Sequence, residues 1–204
     1  MSSASLTDNA RARVVVMISG SGSNMVALAK AAAEPGFPAE IVGVISDKRA
    51  AGGLAKAEAV GLPTAALERR DFDSKAAHEA AVLETLERFA PDLICLAGYM
   101  RLLSGAFIQR YEGRILNIHP SLLPLYPGLH THARAIEAGE AEAGCTVHFV
   151  TEGMDEGPAI LQARVPVLPG DTPETLAARV LVEEHRIYPK ALALVAEGAV
   201  RMPR

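Results

Sequence analysis

Near-continuous apolar runs, each closed by small or polar residues and followed by a helix-like stretch, constrain this chain more than any other feature. The runs at 13–18, 41–45 and 93–97 lack the polar–apolar alternation of a half-exposed strand. Strands of that kind are buried on both faces, as in parallel sheets whose crossover helices lie above and below. Helical patterns follow at 25–33, 54–60, 73–89 and 105–110, and 64–67 makes a weaker strand. The alternation predicts an α/β fold, a doubly wound and mostly parallel (Rossmann-like) sheet with helices on both faces. The C-terminal half breaks the pattern. Residues 145–150 and 159–167 read as strands with a short connection, the second interrupted by Pro166, so an antiparallel extension with an edge strand is expected. Within 145–150 the alternation predicts one buried face, with Thr146 and His148 sharing the other. A short helix fits 131–139. Thr172-Pro173 caps a final helix whose apolar face is spaced as Ala177, Val180, Leu181, Ile187 and Tyr188. No repeat or low-complexity linker divides the chain, so residues 1–12 are expected to form a flexible tail and 13–204 one domain.

Residues 114–124 are the stretch around which a site would be built. They read Arg-Ile-Leu-Asn-Ile-His-Pro-Ser-Leu-Leu-Pro, a strand that ends in a proline-braced loop. Side chains alternate along a strand, so Asn117 and His119 share one side while Leu116 and Ile118 share the other. Pro120 biases His119 toward extended backbone, which preserves the alternation up to the imidazole. An amide and an imidazole two residues apart then converge on one small group. Such residues also occur as plain hydrogen-bonding and turn residues. What favours a site is the same-face pair together with a second polar cluster at 146–157.

Bulk properties narrow the partners. In 204 residues the net charge is −4, which speaks against a general nucleic-acid or anionic-membrane surface. Half the residues are hydrophobic, enough for a full core. Cys95 and Cys145 sit inside apolar runs and read as buried, reduced thiols. The first residues lack a secretory apolar core, and no run reaches the roughly 18 residues of a membrane span. A soluble, cytoplasmic protein is expected.

Three places carry candidate chemistry. Gly20-Ser21-Gly22-Ser23-Asn24 links the first strand to a helix. Its glycines let backbone approach an anion, the helix start offers free N–H groups, and Ser and Asn add donors. Met25 stands where a dinucleotide fingerprint needs its last glycine, and no Lys-Ser/Thr pair makes a Walker loop. A phosphate monoester therefore fits better than NAD, a plain tight turn remains the alternative, and Asp47 reads as a capping residue. The second place is the turn 151–158. A carboxylate from Asp155 beside His119 would orient the imidazole and favour its protonated form, although acids in turns are also commonly just solvated. There is no serine elbow and no reactive-cysteine signature. The set suits direct transfer between two bound substrates, with the protein supplying orientation and electrostatic stabilisation. The third is Glu184, an acid in the middle of the last helix's apolar face, which needs a partner such as a salt bridge or else faces a cleft. His119, His130 and His132 lack metal-site spacing, so no metal is expected and His132 reads as a supporting residue.

Taken together, these segments resemble the phosphoribosylglycinamide formyltransferases, a family of the formyltetrahydrofolate-using superfamily. The resemblance runs from about 13 to 189. It rests on the loop at 18–24, on Leu96-Ala97-Gly98-Tyr99-Met100-Arg101, on 116–124, on Tyr126-Pro127-Gly128-Leu129-His130-Thr131-His132, and on 144–150 with Asp155 and Gly157-Pro158 beyond. It implies formyl transfer from 10-formyltetrahydrofolate to glycinamide ribonucleotide in purine synthesis. Gly22, Ser23 and Asn24 would hold the ribonucleotide phosphate, with Glu184 near its ribose and glycinamide part. Met100, Arg101, Leu102 and Leu103 would line the pterin pocket, with Val150, Thr151 and the residues to Asp155 as its other wall. Asn117, His119 and Asp155 would be catalytic, Asn117 and Asp155 also touching folate, and Thr146, His148 and His132 would support them. The half to about 111 would bind phosphate and the half after it folate. The implied protein is a monomer or homodimer. Two residues depart from the family pattern: Lys75 replaces an Arg that contacts folate in many members, losing its planar fork, and Ser21 replaces an Asn.

Overall fold

A computed structural model describes residues 11–203; of the tail expected at 1–12, residues 1–10 lie outside the described residues. The apolar runs become β1 (Ala12–Ile18), β2 (Ala39–Ser46), β4 (Leu93–Leu96) and β5 (Ile115–His119), with the weak strand β3 at Thr64–Ala66. These pair in parallel, and β6 (Glu142–Phe149) and β7 (Ala159–Pro166) extend the sheet in antiparallel fashion. One seven-stranded sheet results, in the order β3-β2-β1-β4-β5-β6-β7. Alternate residues feed different layers. Val14, Val16 and Ile18 of β1 pack under α1 (Ser23–Ala32), α2 (Gly52–Ala59), α5 (Thr131–Glu137) and α6 (Pro173–Ala196). Val15 and Met17 pack under α3 (Lys75–Phe89) and α4 (Gly105–Arg110). Cys95 and Cys145 are buried in this core, and desolvation pushes both thiols up to about 12.

Order reverses between β1 and β4, so the loops leaving these neighbours diverge and open a crevice at their carboxyl ends. The loops are tied across it: the Ser19 N–H donates to Gly98 O at 3.2 Å and the Met100 N–H to Ser19 Oγ at 2.8 Å. β7 is the edge strand, as Pro166 suggested, and its exposure alternates along its second half.

α6 starts at a capping box in which Thr172 and Thr175 satisfy each other's backbone N–H. Its buried stripe is Leu176, Val180, Glu184, Ile187, Tyr188, Ala191 and Leu192. Of the expected face, Val180, Ile187 and Tyr188 are buried, whereas Ala177 and Leu181 are only half-buried. Packing against α1 as well as β6 and β7 selects the i, i+4 line through Leu176, Val180, Glu184, Tyr188 and Leu192. Tyr188 Oη reaches Leu96 O at 2.9 Å and Leu116 O at 3.1 Å, pinning α6 to the ends of β4 and β5.

Candidate active site

The antiparallel joint between β5 and β6 sets Asn117 opposite His148 and His119 opposite Thr146. Facing residues of such a pair point to the same side, so all four converge. Thr146 and His148 were expected on a less buried face, but they are 0% and 2% exposed. β6 lies inside the sheet rather than at its edge, and the loop after β5 covers that face. Thr146 holds the cover down: its hydroxyl donates to Ser121 O at 2.7 Å and accepts from the Leu123 N–H at 3.0 Å and Gln162 Nε2 at 2.9 Å.

His148 has its tautomer fixed by its neighbours. Nδ1–H donates to Phe149 O at 2.8 Å, which leaves Nε2 to accept from Asn117 Nδ2 at 3.1 Å. Burial lowers the His148 pKa and keeps the ring neutral, against the opposing pull of the Phe149 carbonyl and Asp155. One Asn117 N–H is thereby committed, and the amide plane is set. The other N–H and Oδ1 are free to meet a ligand.

Asp155 enters from the turn after β6. That turn folds tightly onto the strand because residue 157 is glycine: a Cβ there would lie 1.7 Å from Phe149 O. Asp155 itself adopts φ 57°, a left-handed conformation that Asp tolerates better than most residues. Its Oδ2 accepts from the Gly128 N–H at 2.9 Å and stands 3.4 Å from His119 Nδ1, while Oδ1 is 3.8 Å from His148 Nε2. His119 Nε2–H donates to Tyr126 O at 3.0 Å. With that nitrogen bound to a carbonyl, His119 faces the carboxylate through Nδ1. His132 is half-buried close enough for His119 to act on it; burial first, then His119, lowers its pKa.

The second cluster surrounds the loop 20–24. Gly22 has φ 70° and starts α1 without a side-chain cap, leaving the first-turn N–H groups open for an anion. Its backbone lies so close to α2 that a Cβ would come within 2.7 Å of Gly53 Cα. Asn24 is buried and its Nδ2 donates to Glu184 Oε2 at 2.7 Å. The anticipated buried acid thus has an amide partner from α1, which commits one side-chain N–H of Asn24 and leaves its other amide hydrogen and its backbone N–H for a phosphate. Burial raises the Glu184 pKa, and the Asn24 hydrogen bond partly offsets this.

The third feature is a cleft of about 280 Å³ that brings together Lys75, Met100, Arg101, Leu102 and Leu103, all anticipated at a folate site. Val150 packs against the same apolar cluster as Leu103 and Tyr99, and its N–H donates to Ile115 O at 2.9 Å. Thr151, next to it, is half-buried. The residues of the Asn117–His119–Asp155 group do not line this cleft; β5 and Val150 connect the two. Sequence reading missed His78, Glu79 and Val82, which line it too. Their spacing from Lys75, i+3, i+4 and i+7, is that of one helix face and would have revealed them. Glu79 accepts from the Ser104 N–H at 2.7 Å and steadies the loop bearing Met100–Leu103. Asp47 proves not to be a cap: it is buried, and its Oδ2 accepts from Arg101 Nε at 2.7 Å, so it anchors the arginine from below.

Among the described residues, no group of three or more His, Cys, Asp and Glu could hold a metal ion, and no helix is long and apolar enough to cross a membrane. The arrangement offers an anion cradle, a cleft with apolar and charged lining, and a group made of an amide, an imidazole and a carboxylate.

Comparison with known proteins gives a consistent result. The formyl transferase family model matches residues 12–192. The phosphoribosylglycinamide formyltransferase of Escherichia coli (strain K12) is 47% identical over 189 residues, covering 93% of this chain and 89% of that protein. The trifunctional purine biosynthetic protein adenosine-3 of Bos taurus is 52% identical over 94% of this chain, which spans only 19% of that longer protein. A crystal structure of phosphoribosylglycinamide formyltransferase from Brucella melitensis superimposes with a TM-score of 0.90 at 67% identity, covering 95% of this chain and all of that one.

Proposed function

The chain belongs to the formyl transferase family, with relatives among the phosphoribosylglycinamide formyltransferases, and on that premise we propose that it moves the formyl group of 10-formyltetrahydrofolate onto the amine of glycinamide ribonucleotide, a step of purine biosynthesis. The observation that carries this reading is Asp155, from the turn after β6, standing 3.4 Å from His119 Nδ1, with Asn117 two residues before His119 on the same strand and held by His148. Gly22, Ser23 and the Asn24 backbone receive the phosphate, and Glu184 faces the ribose and glycinamide portion. Lys75, Met100–Leu103, Val150 and Thr151 bound the folate. A monomer or a homodimer is proposed. The expected division into a phosphate half to about 111 and a folate and catalytic half after it needs correction, because the cleft with Lys75 and Met100–Leu103 is lined by residues 69–107 and Glu184 joins the phosphate loop from the second half; Asn117, His119 and Asp155 lie after 111. The buried, unpaired thiols support a reducing, cytoplasmic setting.

In the reaction, the amine lone pair attacks the formyl carbon and a C–N bond forms. The carbonyl electron pair moves to oxygen, giving a tetrahedral intermediate. Asn117, held in place by His148, donates its free N–H to that oxygen. His119, oriented by Tyr126 O and facing Asp155, adds electrostatic stabilisation. The attacking nitrogen gives up a proton, the oxyanion's electron pair re-forms the carbonyl as the carbon–nitrogen bond to folate breaks, and the departing nitrogen keeps that bond's electron pair and takes a proton. Asp155 assists this proton movement. The test is folate absorbance with and without glycinamide ribonucleotide. Release of tetrahydrofolate only in its presence is expected. Release without it would make the protein a hydrolase, and no release from folded protein under either condition would overturn the enzymatic reading.

A further inference from the structure

The phosphate subsite has a charge problem. Gly22, Ser23 and Asn24 are neutral, and the ionisable group bonded to them is Glu184, a buried acid. A phosphate placed there would meet no cation among them. The loop, however, leans on α2. The Gly53 N–H donates to Gly20 O at 3.0 Å, and the Lys56 ammonium donates to Ser21 O at 2.9 Å. Ser21 O belongs to the same peptide unit as the Gly22 N–H. In a planar trans peptide the C=O and N–H point in opposite directions, so a cation gripping the oxygen aims the N–H away from itself. It also polarises the unit, making that N–H a stronger donor. Lys56 lines one cleft of about 700 Å³ with Ser23, Lys30, His185 and Arg186, and Arg186 is already paired with Glu183.

We propose that Lys56 is a positioning residue for the ribonucleotide phosphate: its ammonium orients the Ser21–Gly22 peptide and supplies the positive charge that the loop lacks. This rests on the phosphate reading of the loop. The test compares Lys56→Met, which loses donor and charge, Lys56→Gln, which keeps a donor, and Lys56→Arg, which keeps both. The expected result for Lys56→Met is a KM for glycinamide ribonucleotide raised by about tenfold, with kcat and the folate KM within about twofold. Lys56→Arg restores most of the loss. Lys56→Gln falls between, and the ribonucleotide KM becomes less sensitive to added KCl. Lys56 is exposed, so these variants are expected to fold; should Lys56→Met fail to do so, the Gln–Arg pair decides. A ribonucleotide KM within twofold of the parent in Lys56→Gln, or equal losses for both substrates, would overturn the proposal. Inorganic phosphate separates the two ideas. If it competes with ribonucleotide in the parent and Ser23→Ala weakens that competition while the Lys56 variants do not, only the role of Lys56 fails. If it does not compete and Ser23→Ala is silent, the phosphate reading falls and takes Lys56 with it.

Discussion

Asp155→Asn isolates one charge in the proposed mechanism. Asparagine keeps an acceptor for the Gly128 N–H and tolerates φ 57°, so the turn is retained. What disappears is the carboxylate 3.4 Å from His119 Nδ1. At that separation a unit charge pair is worth about 1.2 kcal/mol in bulk water and about 4.9 kcal/mol at an effective dielectric of about 20. With about 1.4 kcal/mol per decade of rate, the limits are roughly 10-fold and 4,000-fold. The Asp155 side chain is only 14% exposed, which favours the stronger end, although it shares its charge with the Gly128 N–H. The expected loss in kcat is about 10² to 10³, with little change in either KM, because the charge matters most when the formyl oxygen becomes anionic. The assay is the initial rate of folate release with both substrates saturating, beside a thermal melt to establish folding. A folded Asp155→Asn protein with kcat within about threefold of the parent would refute the reasoning.

Glu184→Gln should trade binding for stability. The folded-state pKa of Glu184 is raised above its ordinary value of 4.5, so its contribution to stability is complete below that value and is lost as pH rises through the folded one. Removing the charge removes this loss, so the variant's advantage in denaturation midpoint should grow as pH rises above the ordinary value of 4.5 while its ribonucleotide KM rises; a pH-independent offset would contradict the assignment. Tyr188→Phe removes the one hydroxyl hydrogen shared between Leu96 O and Leu116 O, and urea denaturation should report a cost of about 1–3 kcal/mol with kcat nearly intact. A cost below about 0.5 kcal/mol would mean that the bridge adds nothing to stability.

What the sequence revealed of this fold follows from how far each signal reaches along the chain. The parallel strands were legible because burial on both faces removes polar residues from a short window, as in Val14–Ile18. The facing of Asn117 and His119 was legible because it depends only on strand geometry and Pro120. Asp47 was misread as a cap because its partner, Arg101, lies 54 positions away. Asn24 and Glu184 were each singled out, yet their bond spans 160 positions and no local pattern contains it. The burial of Thr146 and His148 escaped notice because it depends on a loop folding back over β6, and alternation within a strand says nothing about what covers it.

Glu184 and Tyr188 lie one turn apart on α6, one facing the proposed ligand and the other fastened to the strand ends. The same rod therefore serves recognition and structural integrity. In evolutionary terms its substitutions have no independent axes: a change that re-aims the acid also shifts the phenol that joins β4 to β5. Substitutions on the outer face of this helix, where Val182 stands 66% exposed, leave both contacts untouched, so a changed ribonucleotide preference is more readily built into the loops than into α6.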